Sequence, residues 1–239
     1  MSFVLLIPLL LLAAALIVLI GPDDTRGLRA KIAAYPIGAA CCGAIGTLYV
    51  VAVQGPISIR FYDPGSVASL LFPIGFYIDR LSAIMMTLIS GVSTLIFVYS
   101  TSYMYQDRHM RRYLALICFT DFVLICMVSS ANLMMLFLFW QILSYLLYLL
   151  AHNHEHAATL KGAFNTFTLL RVADAAFLSG IVLAYGVYGT LEFQELFARA
   201  TERPITFSLF IAHHSPFSVS LLADCFSILL EQAGGFLIL

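Results

Sequence analysis

Five ionisable side chains stand inside stretches that are otherwise apolar: Asp121, Arg171, Asp174, Asp224 and Glu231. Placing such a group in lipid costs roughly 2.5–3.5 kcal/mol on insertion scales, so these residues face a bundle interior or a water-filled path, and they mark cation routes. Arg171 and Asp174 are three apart, so on a helix they share a face and can pair. Pairing removes much of the cost of each. Two roles fit: a buried structural salt bridge, or a segment of a proton or cation path whose opening and re-pairing gates its neighbours. Asp121 has no partner near it in sequence, and a structural hydrogen bond is the role its isolation fits. Gln141 sits in the middle of LFLFWQILSYLLYLL, residues 136–150. It cannot carry a proton, but its amide can hydrogen-bond at both ends. Taken alone it reads as glue between helices, with Asp174 and Thr168 as its expected partners.

The remaining reactive side chains carry weaker signals. His152, His154 and His156 alternate at the end of that apolar run. On a helix His152 and His156 would share a face and could hold zinc. No cysteine lies near them, and they read as a solvated interfacial loop, with a metal site or a proton antenna as the alternatives. His213 and His214, before Pro216, read as a loop. Cys41, Cys42, Cys118, Cys126 and Cys225 all lie in apolar segments without a CxxC spacing, and are expected as small buried hydrophobes. No metal and no cofactor is expected in this chain.

What must position these residues follows from composition. Of 239 residues, 62% are hydrophobic and 10% charged, with mean hydropathy +0.97. A soluble domain carries about 25% charged residues, and small domains have too little interior to hide so much apolar surface. The bilayer is the solvent. The net charge is −1 with no basic stripe, so nucleic acid is not a partner. The run from Ser2 to Ile20 lacks a positive start and is long enough to span, so it reads as a transmembrane helix and not as a signal peptide. Further spans are expected over 32–53, 81–103, 113–130, 132–151 and 160–187, with a weaker one over 217–239. The fold class is therefore all-α: a polytopic bundle of about six to seven spanning helices forming one membrane domain over 1–239. Between the second and third spans, Ile57-Ser58-Ile59-Arg60-Phe61 alternates and Asp63-Pro64-Gly65 signals a turn, which predicts a short extracytoplasmic hairpin or loop. Arg26, Arg29 and Lys31 fall in the first loop, Arg108, Arg111 and Arg112 in the third, and Lys161 ends the fifth. Arg60, Arg199 and Arg203 lie on the other side. This excess places the odd loops in the cytoplasm and the N-terminus in the periplasm.

At this point the chain resembles a known family. IDRLSAIMMTLISGVSTLIFVYSTSYM (78–104) is similar to the Asp-x-Leu-Ser opening and Tyr-Ser-x-x-Tyr-Met close of antiporter-like membrane subunits. These include subunit L of NADH-quinone oxidoreductase (complex I), the large subunit of Mrp-type sodium/proton antiporters, and the membrane subunit of DAB-type inorganic-carbon uptake complexes. ANLMMLFLFWQ (131–141) resembles the family's Asn-Leu…Trp-Glu segment, and LLRVADAAFLSGI (169–181) its Asn-Arg-Val-Gly-Asp-x-x-Phe-x-x-Gly motif. GTLEFQELF (189–197) resembles the short element that follows. The resemblance runs from about Phe76 to Phe197.

The departures are informative. Where redox-linked members place a glutamate of the proton path, this chain has Gln141. Ser144 stands where a glycine is usual, and Tyr148 keeps the family's aromatic. Asp174 matches a family acid thought to couple to that site, with Arg171 beside it. The segment SLLADCFSILLEQAGGFLIL lacks the expected Lys-Ser-Ala-Gln, and residues 201–239 match poorly, so the chain is expected to represent the N-terminal half of a family member.

The resemblance implies an ion-translocating subunit of the bacterial inner membrane without an active site of its own. Asp174, Arg171, Gln141, Asp121 and Lys161 are its candidate ion-path residues. Trp-Gln followed by a histidine-bearing loop looks most like the DAB-type subunits. That resemblance implies a cation flux that serves CO2 or bicarbonate uptake, a separate zinc-dependent carbonic-anhydrase-like subunit, and a second membrane chain supplying the missing helices. The alternatives are a proton-pumping subunit of complex I or a related respiratory complex, and an Mrp-type antiporter subunit.

Overall fold

The computed structural model describes residues 2–20, 26–60, 75–104, 109–151 and 157–202. The chain divides into two compact units, Met1–Leu150 and Ala151–Leu239. The first holds α1 (Ser2–Ile20), α2 (Arg26–Gln54), β1 (Ile57–Arg60), β2 (Gly75–Ile78), α3 (Arg80–Tyr103), α4 (Met110–Val128) and α5 (Leu133–Ala151). The second holds α6 (Ala157–Tyr188) and α7 (Phe193–Glu202).

In the first unit α1 packs on α2 and α4, α2 on α3, and α3 on α4, so four helices close a ring. Ile7 and Leu11 of α1, Met86 and Phe97 of α3, and Leu114 and Ile125 of α4 fill its middle. The inward face of α2 includes three alanines, Ala33, Ala40 and Ala44, beside Ile37, Thr47 and Val51. Lipid tails are as apolar as leucine, so helices in a membrane gain little from hiding apolar surface against each other. They gain from close van der Waals contact, which small residues permit. Gly43 shows how close: a Cβ there would stand 3.1 Å from Cγ1 of Ile7. The outer faces carry exposed apolar side chains such as Leu9, Leu88 and Leu95, the surface a lipid-solvated bundle presents.

Four helical segments are long and apolar enough to cross a bilayer: Ile32–Gln54, Arg80–Tyr103, Leu133–Leu150 and Asn165–Tyr188. Val4–Ile20 is a shorter apolar segment. The molecule is thus a polytopic helix bundle, as composition predicts. α4 falls outside that group, because its 19 residues include Arg111, Arg112 and Asp121. The expected span over 217–239, with Asp224, Cys225 and Glu231, lies outside the described residues, as do His152, His154, His156, His213 and His214.

The alternation at residues 57–61 yields a strand. β1 and β2 pair antiparallel, Ile57 opposite Ile78 and Arg60 opposite Gly75. The expected Asp63-Pro64-Gly65 turn lies outside the described residues. The other edge of β2 is also satisfied. Its Tyr77 N–H donates to the Ser129 carbonyl at 2.8 Å, and the Gly75 carbonyl accepts from Ala131 N–H at 2.9 Å. The short link between α4 and α5 therefore acts as a third strand. Unpaired backbone groups near lipid cost several kcal/mol each, and this arrangement leaves few on β2.

In the second unit α6 ends at Gly189, whose φ of +66° suits a residue without a Cβ, and whose N–H donates to the Tyr185 carbonyl at 2.8 Å. Arg199 of α7 donates to the Tyr188 carbonyl and pairs with Glu195 at 3.5 Å. The last carbonyls of α6 thus receive a glycine cap and a cation, both favourable at a helix C-terminus.

Candidate ion-translocation site

On α5, Gln141, Ser144 and Tyr148 recur at i, i+3 and i+7 and so share one face. The register of that face is set at the start of the helix, where the Asn132 side chain accepts from Met134 N–H at 2.9 Å. Gln141 is half-buried. Ser144 is buried, and its hydroxyl has no hydrogen-bond partner among the described residues. The Tyr145 and Tyr148 rings lie 6.3 Å apart.

On α4, Asp121 is 2% exposed. Across the interface with α3, Ser93 is a polar neighbour of its carboxyl, and among the described residues neither carboxylate oxygen has a well-aligned hydrogen bond. Cys118 and Cys126 on the same helix are buried, as expected, whereas Cys41 is half-exposed and Cys42 exposed on the outer face of α2.

On α6 the sequence spacing is realised in full. Arg171 Nη2 lies 3.1 Å from Asp174 Oδ2, with the Asp174 side chain 5% exposed and that of Arg171 32%. The guanidinium carbon also stands 4.6 Å from the centre of the Phe167 ring. Arg171 is therefore held on both sides by its own helix, by Phe167 one turn before and Asp174 one turn after. A cation over an aromatic face is worth about 0.5–2 kcal/mol. The role of Phe167 was readable only from its i−4 spacing to Arg171. Lys161 falls near the start of α6, and its side chain is outside the described residues. Gln141 and Asp121 belong to the first unit, and the Arg171–Asp174 pair to the second.

The arrangement on α6 can do one kind of chemistry. A carboxylate paired with a guanidinium that has a second, uncharged resting contact can accept a proton without leaving the cation stranded. The pair can then open and close as Asp174 is neutralised and recharged.

Two family models match consecutive parts of the chain. One, described as the N-terminus of chain 5 of NADH-ubiquinone oxidoreductase (complex I), matches residues 65–114. The other, described as the transmembrane region of NADH:quinone oxidoreductase and Mrp antiporters, matches residues 130–226. Among curated proteins, the chloroplastic NAD(P)H-quinone oxidoreductase subunit 5 of Aethionema cordifolium is 34% identical over 129 residues. A probable inorganic carbon transporter subunit, DabB1, of Halothiobacillus neapolitanus is 33% identical over 129 residues. These alignments cover 54% of this chain, and 17% and 23% of those proteins respectively. A subunit in the structure of the membrane-bound sulfane sulfur reductase, an archaeal respiratory membrane complex, shares the fold with a TM-score of 0.68. That match has 21% identity over 84% of this chain and 41% of that one.

Proposed function

The chain belongs to the superfamily of antiporter-like membrane subunits, and on that premise we propose that it carries protons or sodium ions across a bacterial inner membrane as part of a larger complex. The observation that supports this reading is the Arg171–Asp174 pair, sunk in an apolar helix with Phe167 as a second seat for the cation. A proton reaching Asp174 neutralises it and releases Arg171 toward Phe167. The charge that Arg171 presents to neighbouring groups then changes position. When the proton leaves, the pair re-forms. Gln141 contributes hydrogen bonds to the path, and Lys161 a positive charge at the start of α6. The chain has no reaction of its own; the complex supplies or consumes the gradient.

The complex we favour is a DAB-type importer, in which cation flow drives CO2 or bicarbonate uptake. Support comes from Gln141 in place of the glutamate of redox-linked members and from the similarity to DabB1. The partners are then a zinc-dependent carbonic-anhydrase-like subunit and a second membrane chain. A complex I-type role is the second reading, favoured by the equal similarity to the chloroplastic subunit 5; an Mrp-type antiporter is the third. Purification from native membranes separates them. A large soluble zinc protein should co-purify; flavin and iron–sulfur subunits in its place would overturn the DAB-type assignment in favour of the respiratory one.

A further inference from the structure

Among the described residues, Asp121 is a buried carboxyl that the proposed path on α6 does not use. It lies on the inward stripe of α4, between Cys118 one turn before and Ile125 one turn after, each almost wholly buried. Among the described residues no cation pairs with it. Arg112 and Arg111, on the same helix, are nine and ten residues away, about 14 Å along the axis. α1, packed against α4, carries no titratable side chain. On α3 the titratable residues are Arg80, Tyr99 and Tyr103, all toward the helix ends. Cys118 is the titratable neighbour whose electrostatics it shares. What α3 offers instead is oxygen. Ser93 faces the carboxyl. Ser90, one turn earlier and 1% exposed, spends its hydroxyl hydrogen on the Thr87 carbonyl at 3.2 Å, which leaves its oxygen lone pairs uncommitted.

A bare carboxylate in such a core is unsustainable, because an isolated buried ion loses its hydration without a countercharge. Something small and positive must neutralise it. We propose that Asp121, with Ser93, is a loading point for a small monovalent cation, a proton or a sodium ion. It lies inside the four-helix ring of the first unit and is distinct from the Arg171–Asp174 pair. This deepens the transport reading above. Both ions use the same chemistry: one positive charge on a carboxyl oxygen, with the Ser93 hydroxyl beside it.

The test uses dicyclohexylcarbodiimide, an apolar reagent that enters through lipid and attacks carboxylic acids in their protonated form. The acid oxygen adds to the central carbon and the acid proton goes to a nitrogen, with no leaving group. The full-length chain is treated in its membrane, and adducts are located by peptide mass spectrometry. Asp121 should be modified, more slowly as pH rises, and Asp121→Asn should remove that adduct while leaving others. If sodium loads the site, sodium but not potassium should slow modification about ten-fold at a concentration near ten times its dissociation constant. If only a proton loads it, sodium should have no effect. Asp121 left unmodified in the folded chain, yet modified after denaturation, overturns the proposal. Continued cation transport by that same unmodified protein leaves the transport reading standing. Modification of Asp121 in a protein that carries no ion leaves this site standing and sinks the transport reading.

Discussion

Asp174 and Gln141 invite opposite substitutions. Asp174→Asn keeps the shape and removes the charge. Breaking a fully buried pair costs about 3–5 kcal/mol, but Arg171 is 32% exposed and keeps its seat on Phe167, so the protein should still accumulate. Transport in proteoliposomes should fall at least about ten-fold, the effect of about 1.4 kcal/mol on a barrier. Wild-type transport in that variant would show the pair to be structural. Gln141→Leu removes hydrogen bonds, and interhelical polar contacts in membranes average only about 0.6 kcal/mol. Assembly should survive while transport weakens. Gln141→Glu restores the family's carboxylate and should make transport newly sensitive to pH. Unchanged transport in both variants would mean that the position is inert. At this scale the sequence was legible where partners are local. Arg171 and Asp174 are three residues apart on one helix, and periodicity alone pairs them. The Asp121–Ser93 approach was not legible, because it depends on how α3 and α4 rotate against each other, and sequence spacing within one helix says nothing of that.

Several motif residues cap the helices they precede. The Asp of Asp-x-Leu-Ser is Asp79, whose carboxylate accepts from Ser82 N–H at 2.7 Å and caps α3. Asn132 caps α5 in the same way, and Thr190 after Gly189 accepts from Glu192 N–H at 3.3 Å just before α7. These motifs fix where helices begin, and hence which side chains reach the bundle interior. Asp79→Ala should cost about 1 kcal/mol. Glycines offer a sharper contrast. Gly43→Val would drive a side chain into Ile7 and should cost about 1–3 kcal/mol, typical of overpacking. Gly91→Val meets open space on α3 and should leave the thermal unfolding midpoint in detergent nearly unchanged. Equal effects would mean that α1 and α2 do not approach each other closely at Gly43. Helix spans were legible because crossing a bilayer demands about 20 apolar residues, and β1 because Ile57 and Ile59 alternate with polar neighbours. The third-strand role of residues 129–131 was hidden: Ser129-Ser130-Ala131 has no strand pattern, and its pairing uses only backbone groups that every residue has.

For the whole molecule, the arginines give the orientation to be tested. In a background without native cysteines, Ser58→Cys should react with a membrane-impermeant maleimide added to intact cells, and Arg108→Cys should not. Reaction at 108 alone would invert the topology. Tyr77 and Ala131 exchange backbone hydrogen bonds with Ser129 and Gly75, so the hairpin and the α4–α5 link emerge on the same side of the bilayer. A chain that leaves one face and returns to it must cross an even number of times. α3 accounts for one crossing; only α4 is available for the other. Parity thus makes α4 a spanning helix despite Arg111, Arg112 and Asp121, and a maleimide that reaches Ser58→Cys should also reach Ala131→Cys.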